Sequence, residues 1–176
     1  MLLKKIYLGY VVVKPTGNSL FGPTFLKTYK SNDNRLRNYN STLKMKINLF
    51  GVNIPIRGLV FQEQDLAIGV CATQAIWSAL NKVSSLFRVS MLSPGEISEF
   101  GGIGANGRIF PNSGMSNKQI FKIFRKVDLT IAHVSYNDKN GKSGIELTRT
   151  YLKEIVYAYN KIGIPLLLGY YSDKRK

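Results

Sequence analysis

Residues 61–80 read FQEQDLAIGVCATQAIWSAL and hold both the only cysteine of the chain and the start of its best amphipathic helix. Apolar side chains recur there at intervals of three and four residues, which is the period of an α-helix with one buried face. The residues in this pattern are Ala72, Ala75, Ile76, Ala79, Leu80 and Val83. The pattern predicts a helix that begins near Cys71 and ends near Ser84, with the cysteine in its first turn.

The position of Cys71 at a helix start favours reactivity. The backbone N–H groups there have no intrahelical partner and favour an anion, so they stabilise the thiolate form. This contribution is about 1 kcal/mol, and a working nucleophile therefore needs a second partner. A lone cysteine is also among the residues most often buried for packing alone. Both a catalytic and a structural role are open at this point.

The surroundings of Cys71 resemble those of the papain-like cysteine peptidases: a glutamine upstream, the cysteine opening a buried helix, small residues after it, and Trp77 further along. The nearest resemblance is to bacteriocin-leader-processing peptidases and related bacterial proteins of the papain fold. It implies that Cys71 is the nucleophile and that the Gln64 amide donates to the oxyanion, with Gln62 as a second candidate donor. Two details differ from the commoner family pattern: six residues separate Gln64 from Cys71 instead of five, and Ala72 stands where glycine is frequent.

The resemblance also implies a catalytic histidine, and His133 is the only histidine of the chain. It lies in the strand-like run LTIAHVSY, residues 129–136, where alternation would place it with Leu129 and Ile131 on a half-buried face. In the resembling proteins the base follows a segment like KIGIPLLLGYY, residues 161–171. Three expectations stay open: the chain is a truncated piece that lacks its base, His133 is the base at an unusual place, or the domain does not catalyse. Whether the protein is an enzyme depends on which of them holds.

The fold class that these features indicate is α+β of papain-like type. We expect the Cys-bearing central helix to pack with further helices against a small, mostly antiparallel sheet that is incomplete at its C-terminal end. We expect Trp77 in the core. The chain would divide into an N-terminal strand segment and basic loop, residues 1–50, and a papain-like cysteine peptidase-like domain, residues 51–176, which is truncated if the base is missing. A length of 176 residues with 44% hydrophobic content suits one globular unit.

Alternation and turn residues predict the extended parts of the chain. The predicted segments are strands at about 5–13, 44–50 and 129–136, a polar loop at 30–42, an extended or turn segment at 52–61 around Pro55 and Gly58, and a buried strand led by Pro165. The expected order is therefore a helical half after Cys71, followed by strands.

Two capping boxes and one apolar pattern predict the other helices. SPGE at 93–96 predicts a short helix that begins at Pro94, and SNKQ at 116–119 predicts a helix that ends near Lys126. A third long helix is predicted at about 145–161, with Gly163 at its end.

The net charge of +15 at pH 7 is concentrated near the N-terminus, where residues 1–60 carry ten basic side chains and one acidic one. Within residues 29–46 the basic and aromatic side chains are Lys30, Arg35, Arg37, Lys44, Lys46, Tyr29 and Tyr39. Such a mixture can grip phosphates and stack on bases. A lysine-rich solvated surface explains the same charges, and its association with polyanions would be non-specific and sensitive to salt.

Three functions follow as hypotheses. The first is a cysteine peptidase, a thiol hydrolase acting on a peptide or protein substrate. The second is a non-catalytic papain-fold module that binds a peptide or protein, and the third is a basic nucleic-acid-binding protein. The sequence does not predict an oligomeric state.

Composition adds expectations about cofactors and location. We expect no cofactor, and one cysteine with one histidine argues against a structural zinc site. No apolar run is long enough to span a membrane. A single cysteine excludes an internal disulfide and suits a reducing cytoplasm.

Overall fold

The computed structural model describes residues 2–15, 20–29, 37–63, 71–102, 115–134 and 149–169. Within these ranges the chain forms five helices and a four-stranded antiparallel sheet, so the α+β class is confirmed. The elements are α1 Leu3–Ile6, β1 Gly9–Val13, β2 Phe21–Lys27, β3 Leu43–Leu49, β4 Val52–Phe61, α2 Cys71–Phe87, α3 Pro94–Phe100, α4 Asn117–Arg125 and α5 Arg149–Ile162.

The sheet has the strand order β1-β2-β4-β3, and every neighbouring pair is antiparallel. β3 and β4 form a hairpin whose two turn residues, Phe50 and Gly51, have positive φ angles of 50° and 79°. A turn of this hand matches the twist of the flanking strands, and the Gly51 N–H donates to the side-chain oxygen of Asn48 at 3.1 Å. The domain boundary predicted between residues 50 and 51 coincides with this turn, and the longest strand pairing of the sheet crosses it.

β4 is the segment that the sequence patterns describe only as extended or turn structure. Its burial alternates along the strand, as expected for a sheet with one covered face. β2 pairs only with residues 58–61 of β4, so the edge of β4 that faces β2 is unpaired before residue 58. Pro55 is tolerated because it lies in this unpaired part. A Cβ atom at Gly58 would collide with the carbonyl oxygen of Leu26, so this position requires glycine.

The N-terminal strand prediction is correct only in part. The strand predicted at 5–13 begins at Gly9, because the residues before it form the short helix α1. Leu3 and Tyr7 pack from there against the apolar core of the sheet. The strand predicted at 44–50 is confirmed as β3.

β2 has no counterpart among the sequence predictions. Gly22 and Pro23 interrupt the alternation of apolar side chains that would reveal a strand. The strand nevertheless pairs with both β1 and β4, and its Phe25 is fully buried. Pairing with β1 and β4 therefore stabilises β2 although its local sequence does not predict a strand.

The core consists of two clusters of apolar side chains that share one residue. The helical cluster contains Ile76, Leu80, Leu92, Ile97, Ile123, Phe124 and Val127. The sheet cluster contains Phe25, Leu43, Ile54, Ile56 and Val60. Trp77 of α2 is half-buried and packs against both clusters, so the prediction of a core residue is correct in its contacts but not in full burial. α2 therefore contacts the sheet on one side and α3 on the other, and these contacts fix the position of Cys71 at its start.

The helix predictions are the most accurate. α2 begins at Cys71, and α3 and α4 begin behind complete capping boxes at Ser93 and Ser116. α5 ends at Ile162, directly before Gly163, whose φ is +79°, as the sequence predicts. Residues 145–148 of the predicted third helix lie outside the described residues.

The predictions of strands after the helices are wrong where the structure describes them. Residues 129–134 and 164–169 contain no strand. Leu129 and Ile131 pack against the helical cluster instead, so their apolar side chains are partly buried without a strand partner. Throughout the described ranges, the strands of the sheet precede Cys71.

The loop before β3 is tied to α2 by a lysine. The Lys82 ammonium donates to the carbonyl oxygen of Thr42 at 3.0 Å. Burial, and then the charge of Arg57, lower the pKa of Lys82 below its ordinary value. This contact holds the sheet and α2 together at the end of α2 that is remote from Cys71.

Candidate functional site

Cys71 is the first residue of α2, and its side chain is exposed. Several side chains that follow in α2 are directed into the protein. Thr73 and Gln74 are buried, and Ile76 belongs to the helical cluster. The thiol has no hydrogen-bond partner within the ranges that the structure describes. It is therefore open to solvent at the start of a helix that is held by core contacts.

Of the two glutamines predicted as oxyanion donors, Gln62 lies within the described residues and Gln64 does not. Gln64 lies outside the described residues, and its role stays a prediction. Gln62 is half-buried directly after β4. The next residue, Glu63, accepts a hydrogen bond from the Phe21 N–H at 2.8 Å and donates its own N–H to the Phe21 carbonyl at 3.2 Å. These bonds hold the end of β4 against the start of β2.

The buried face of α2 includes two polar residues that the apolar pattern misses. The hydroxyl groups of Thr73 and Ser98 form a hydrogen bond at 3.3 Å, which joins α2 to α3. The side-chain oxygen of Gln74 is buried, and no described residue donates a hydrogen bond to it. Ala75, by contrast, is exposed although the pattern places it in the core. The sequence gives no signal for Gln74, because a buried glutamine breaks the apolar pattern instead of extending it.

His133 is exposed, which corrects the prediction of a half-buried side chain. Its Nε2 atom lies 3.2 Å from the side-chain nitrogen of Asn117 at the start of α4. Its ring also meets the ring of Phe121 edge-on, with centroids 5.4 Å apart. No hydrogen bond joins Cys71 to His133 within the described residues, so the structure does not assemble these two side chains into a pair.

The aromatic residues of the basic segment bind one another. The Arg37 guanidinium donates to the Tyr29 hydroxyl at 2.9 Å and lies 5.2 Å from the centre of its ring. The Tyr39 hydroxyl donates to the backbone carbonyl of Tyr29 at 2.9 Å. These contacts order the ends of the loop. Lys30 and Arg35 lie outside the described residues.

Cations of β3 and β4 lie together on the outer face of the sheet. In the strand register Lys44 lies opposite Arg57, and Lys46 lies opposite Pro55. The two lysine side chains are exposed. Arg57 donates to the Thr42 hydroxyl at 2.7 Å and is therefore partly engaged. This part of the basic segment presents two accessible lysines to solvent.

A second group of cations surrounds a cavity on α4. The cavity has a volume of about 490 Å³, and the described residues that line it are Lys118, Phe121, Lys122, Arg125 and Lys126. Each of the four basic side chains is exposed, and Phe121 is half-buried. The sequence analysis missed this site, although cations three and four residues apart on a capped helix fall on one face.

Comparison with models of known protein families found no match, and comparisons with curated proteins and with solved structures found none either. The papain-like resemblance therefore stays a prediction from the sequence. Among the described residues, no helix is long and apolar enough to cross a membrane. The same residues contain no group of three or more histidine, cysteine, aspartate or glutamate side chains placed to hold a metal ion.

Proposed function

We propose that the protein is a thiol hydrolase of papain-like type, most simply a cysteine peptidase, with Cys71 as its nucleophile. One observation carries this proposal: the only cysteine is exposed at the first described residue of α2, whose following turns are packed into the core. A cysteine kept for packing is usually buried. The exposure of Cys71 at a fixed helix start favours a chemical role.

The reaction follows from the position of the thiol. The Cys71 thiolate attacks the carbonyl carbon of a peptide bond, and the electron pair of the C=O bond moves to oxygen. The resulting oxyanion would accept hydrogen bonds from the Cys71 N–H and from the Gln64 amide. Collapse of this intermediate breaks the C–N bond, and the amine leaves with a proton. Water then cleaves the thioester, which releases the acid and restores the thiol.

A general base must move the proton in both steps. His133 is the only imidazole of the chain, and its Nε2 atom accepts a hydrogen bond from the Asn117 side-chain nitrogen. In this arrangement the proton of the neutral ring is on Nδ1. His133 therefore serves as a base only after the Asn117 amide turns its oxygen toward the ring or the contact breaks. No hydrogen bond between Cys71 and His133 is formed within the described residues, so a base must come within hydrogen-bond reach of the thiol when substrate is bound. The lack of this contact favours the second candidate, a papain-fold module that binds peptide or protein without cleaving it.

The rate of iodoacetamide alkylation of Cys71, measured across pH, tests the nucleophile and the base together. The native chain is compared with His133→Ala and with Thr130→Ala, which truncates an exposed side chain of the same segment. If His133 assists the thiol, alkylation of the native chain and of Thr130→Ala extends to lower pH than alkylation of His133→Ala. Identical profiles in all three proteins would exclude His133 as the base.

Hydrolysis of a peptide library, followed by mass spectrometry, separates the two candidates. For a peptidase, Cys71→Ser loses cleavage by several orders of magnitude while its far-UV circular dichroism stays unchanged. For a binding module, the native chain cleaves no peptide, and Cys71→Ser retains whatever peptide affinity the native chain has.

A further inference from the structure

We infer that the cavity on α4 is a binding site for nucleotide phosphates, in which cations hold the phosphates and Phe121 supports the base. None of the described residues that line the cavity belongs to α2, and its one contact with the proposed thiol chemistry is that of Phe121 with the ring of His133. The ligand is either a free nucleotide or a single-stranded nucleic acid, which share this chemistry.

The charges of the cavity favour an anion. Its described lining contains four cations and no carboxylate. Lys118, Lys122 and Arg125 make no ion pair within the described residues. Lys126 lies over the ring of Phe100, at 5.7 Å from its centre, and remains exposed. Cations brought together without counter-charges repel one another, and a bound polyanion removes that repulsion.

The helix arranges these cations in a row. Lys118 and Lys122 are four residues apart and therefore lie one turn apart on the same face of α4. Arg125 and Lys126 extend the same face by another turn. A linear ligand with regularly spaced negative charges, such as a phosphodiester backbone, matches this arrangement better than a single carboxylate does.

An aromatic ring selects nucleotides among the polyanions. Phe121 lines the cavity between Lys118 and Lys122 in sequence, and its ring is held edge-on by His133. Stacking on a ring is open to every base and depends little on sequence. Acidic peptides and inorganic polyphosphate gain nothing from such a ring, so its loss should weaken nucleotide binding alone.

Fluorescence anisotropy with labelled oligothymidylate tests the site on the full chain. The charge reversal Lys118→Glu with Lys122→Glu is compared with Lys44→Glu and Lys46→Glu, an equal change of charge on the exposed face of β3. We expect the α4 pair to weaken binding at least about tenfold and to reduce the slope of log K against log salt by roughly 1.4, since each phosphate contact contributes about 0.7. The β3 pair should leave both quantities nearly unchanged. Equal losses in the two pairs would overturn the assignment, because they would indicate non-specific attraction to the whole basic surface.

Phe121→Leu and a set of competitors test the chemistry of the ligand. We expect Phe121→Leu to weaken oligothymidylate binding at least about fivefold and to leave the affinity for inorganic polyphosphate unchanged. Displacement by ATP would identify a free nucleotide as the ligand, and retention of oligothymidylate against ATP would identify a strand; either result supports the proposal. Displacement by polyglutamate at the same charge concentration would overturn it. If the double charge reversal unfolds the chain by circular dichroism, Arg125→Gln is used in its place, with Arg57→Gln as its control.

Discussion

Gln74 shows how one side chain on α2 departs from the rule that buried polar atoms are paired. It is 8% exposed, and its side-chain oxygen has no hydrogen-bond partner among the described residues. A buried acceptor without a partner typically costs about 1–3 kcal/mol. The adjacent Thr73 is buried more deeply, at 2% exposed, but its hydroxyl is paired with Ser98. The two neighbours thus have opposite effects on stability.

Replacing Gln74 by methionine should stabilise the protein. The side chain keeps its length and loses the unpaired oxygen, so we expect the free energy of unfolding to rise by about 1 kcal/mol. Urea unfolding followed by far-UV circular dichroism measures the change. Thr73→Val is the matched control, since it removes a paired hydroxyl and should lower the free energy of unfolding by about 1 kcal/mol. A loss of stability in both variants would mean that the Gln74 amide is paired in solution.

At the scale of the element, two capping boxes of the same geometry differ in one chemical respect. The Ser93 N–H donates to the Glu96 carboxylate at 2.7 Å, and the Ser116 N–H donates to the Gln119 amide oxygen at 2.9 Å. The hydrogen bonds from the backbone N–H and the side chain of Ser93 lower the pKa of Glu96 below its ordinary value of 4.5. Only the first box therefore responds to pH.

Replacing each capping serine by alanine should reveal the different pH dependence of the two capping boxes. Ser93→Ala and Ser116→Ala should each lower the free energy of unfolding by about 1 kcal/mol at pH 7. A carboxyl with a lowered pKa stabilises the folded state above its unfolded pKa, and this contribution is lost as the pH falls through the folded value. The loss caused by Ser93→Ala should therefore shrink below pH 4.5.

Urea unfolding of both variants from pH 7 downwards provides the measurement. Ser116→Ala is the control for Ser93→Ala, because Gln119 does not titrate. A constant loss at all pH values in Ser93→Ala would show that Glu96 does not cap α3 in solution.

For the molecule as a whole, Trp77 is the residue that unites the fold. It contacts the helical cluster and the sheet cluster from α2. The two clusters have no other residue in common within the described ranges. Cooperative unfolding of the sheet with the helices therefore depends strongly on this side chain.

Trp77→Ala should destabilise both halves at once. We expect the free energy of unfolding to fall by about 3 kcal/mol, as for large-to-small changes in a core. The control is Phe87→Ala, which truncates an exposed aromatic residue at the end of the same helix and should change stability by less than about 1 kcal/mol. Thermal unfolding by circular dichroism compares them, and equal effects of the two variants would contradict the bridging role of Trp77.

Some features of the candidate site follow from the local sequence, and others do not. The start of α2 at Cys71 follows from periodicity, but the exposure of the thiol depends on how α2 packs against β4 and α3. The position of His133 beside Asn117 depends on α4 meeting residues 129–134, which no local pattern specifies.

The sequence by itself determined α2, α3, α4 and the end of α5, because their periodicity and caps depend on residues three and four apart. It did not determine α1, whose residues fall partly in the strand predicted at 5–13. It determined β3 for a related reason, since alternation acts between next neighbours. Only the tertiary structure decided β2 and the full length of β4: Gly58 pairs with Lys27 on one side and Leu43 on the other, and these partners lie far away in the chain. It also decided that Leu129 and Ile131 pack without forming a strand and that the α4 cations line an open cavity. Contacts between distant segments form only when the whole chain is folded, and for this reason local patterns cannot reveal them.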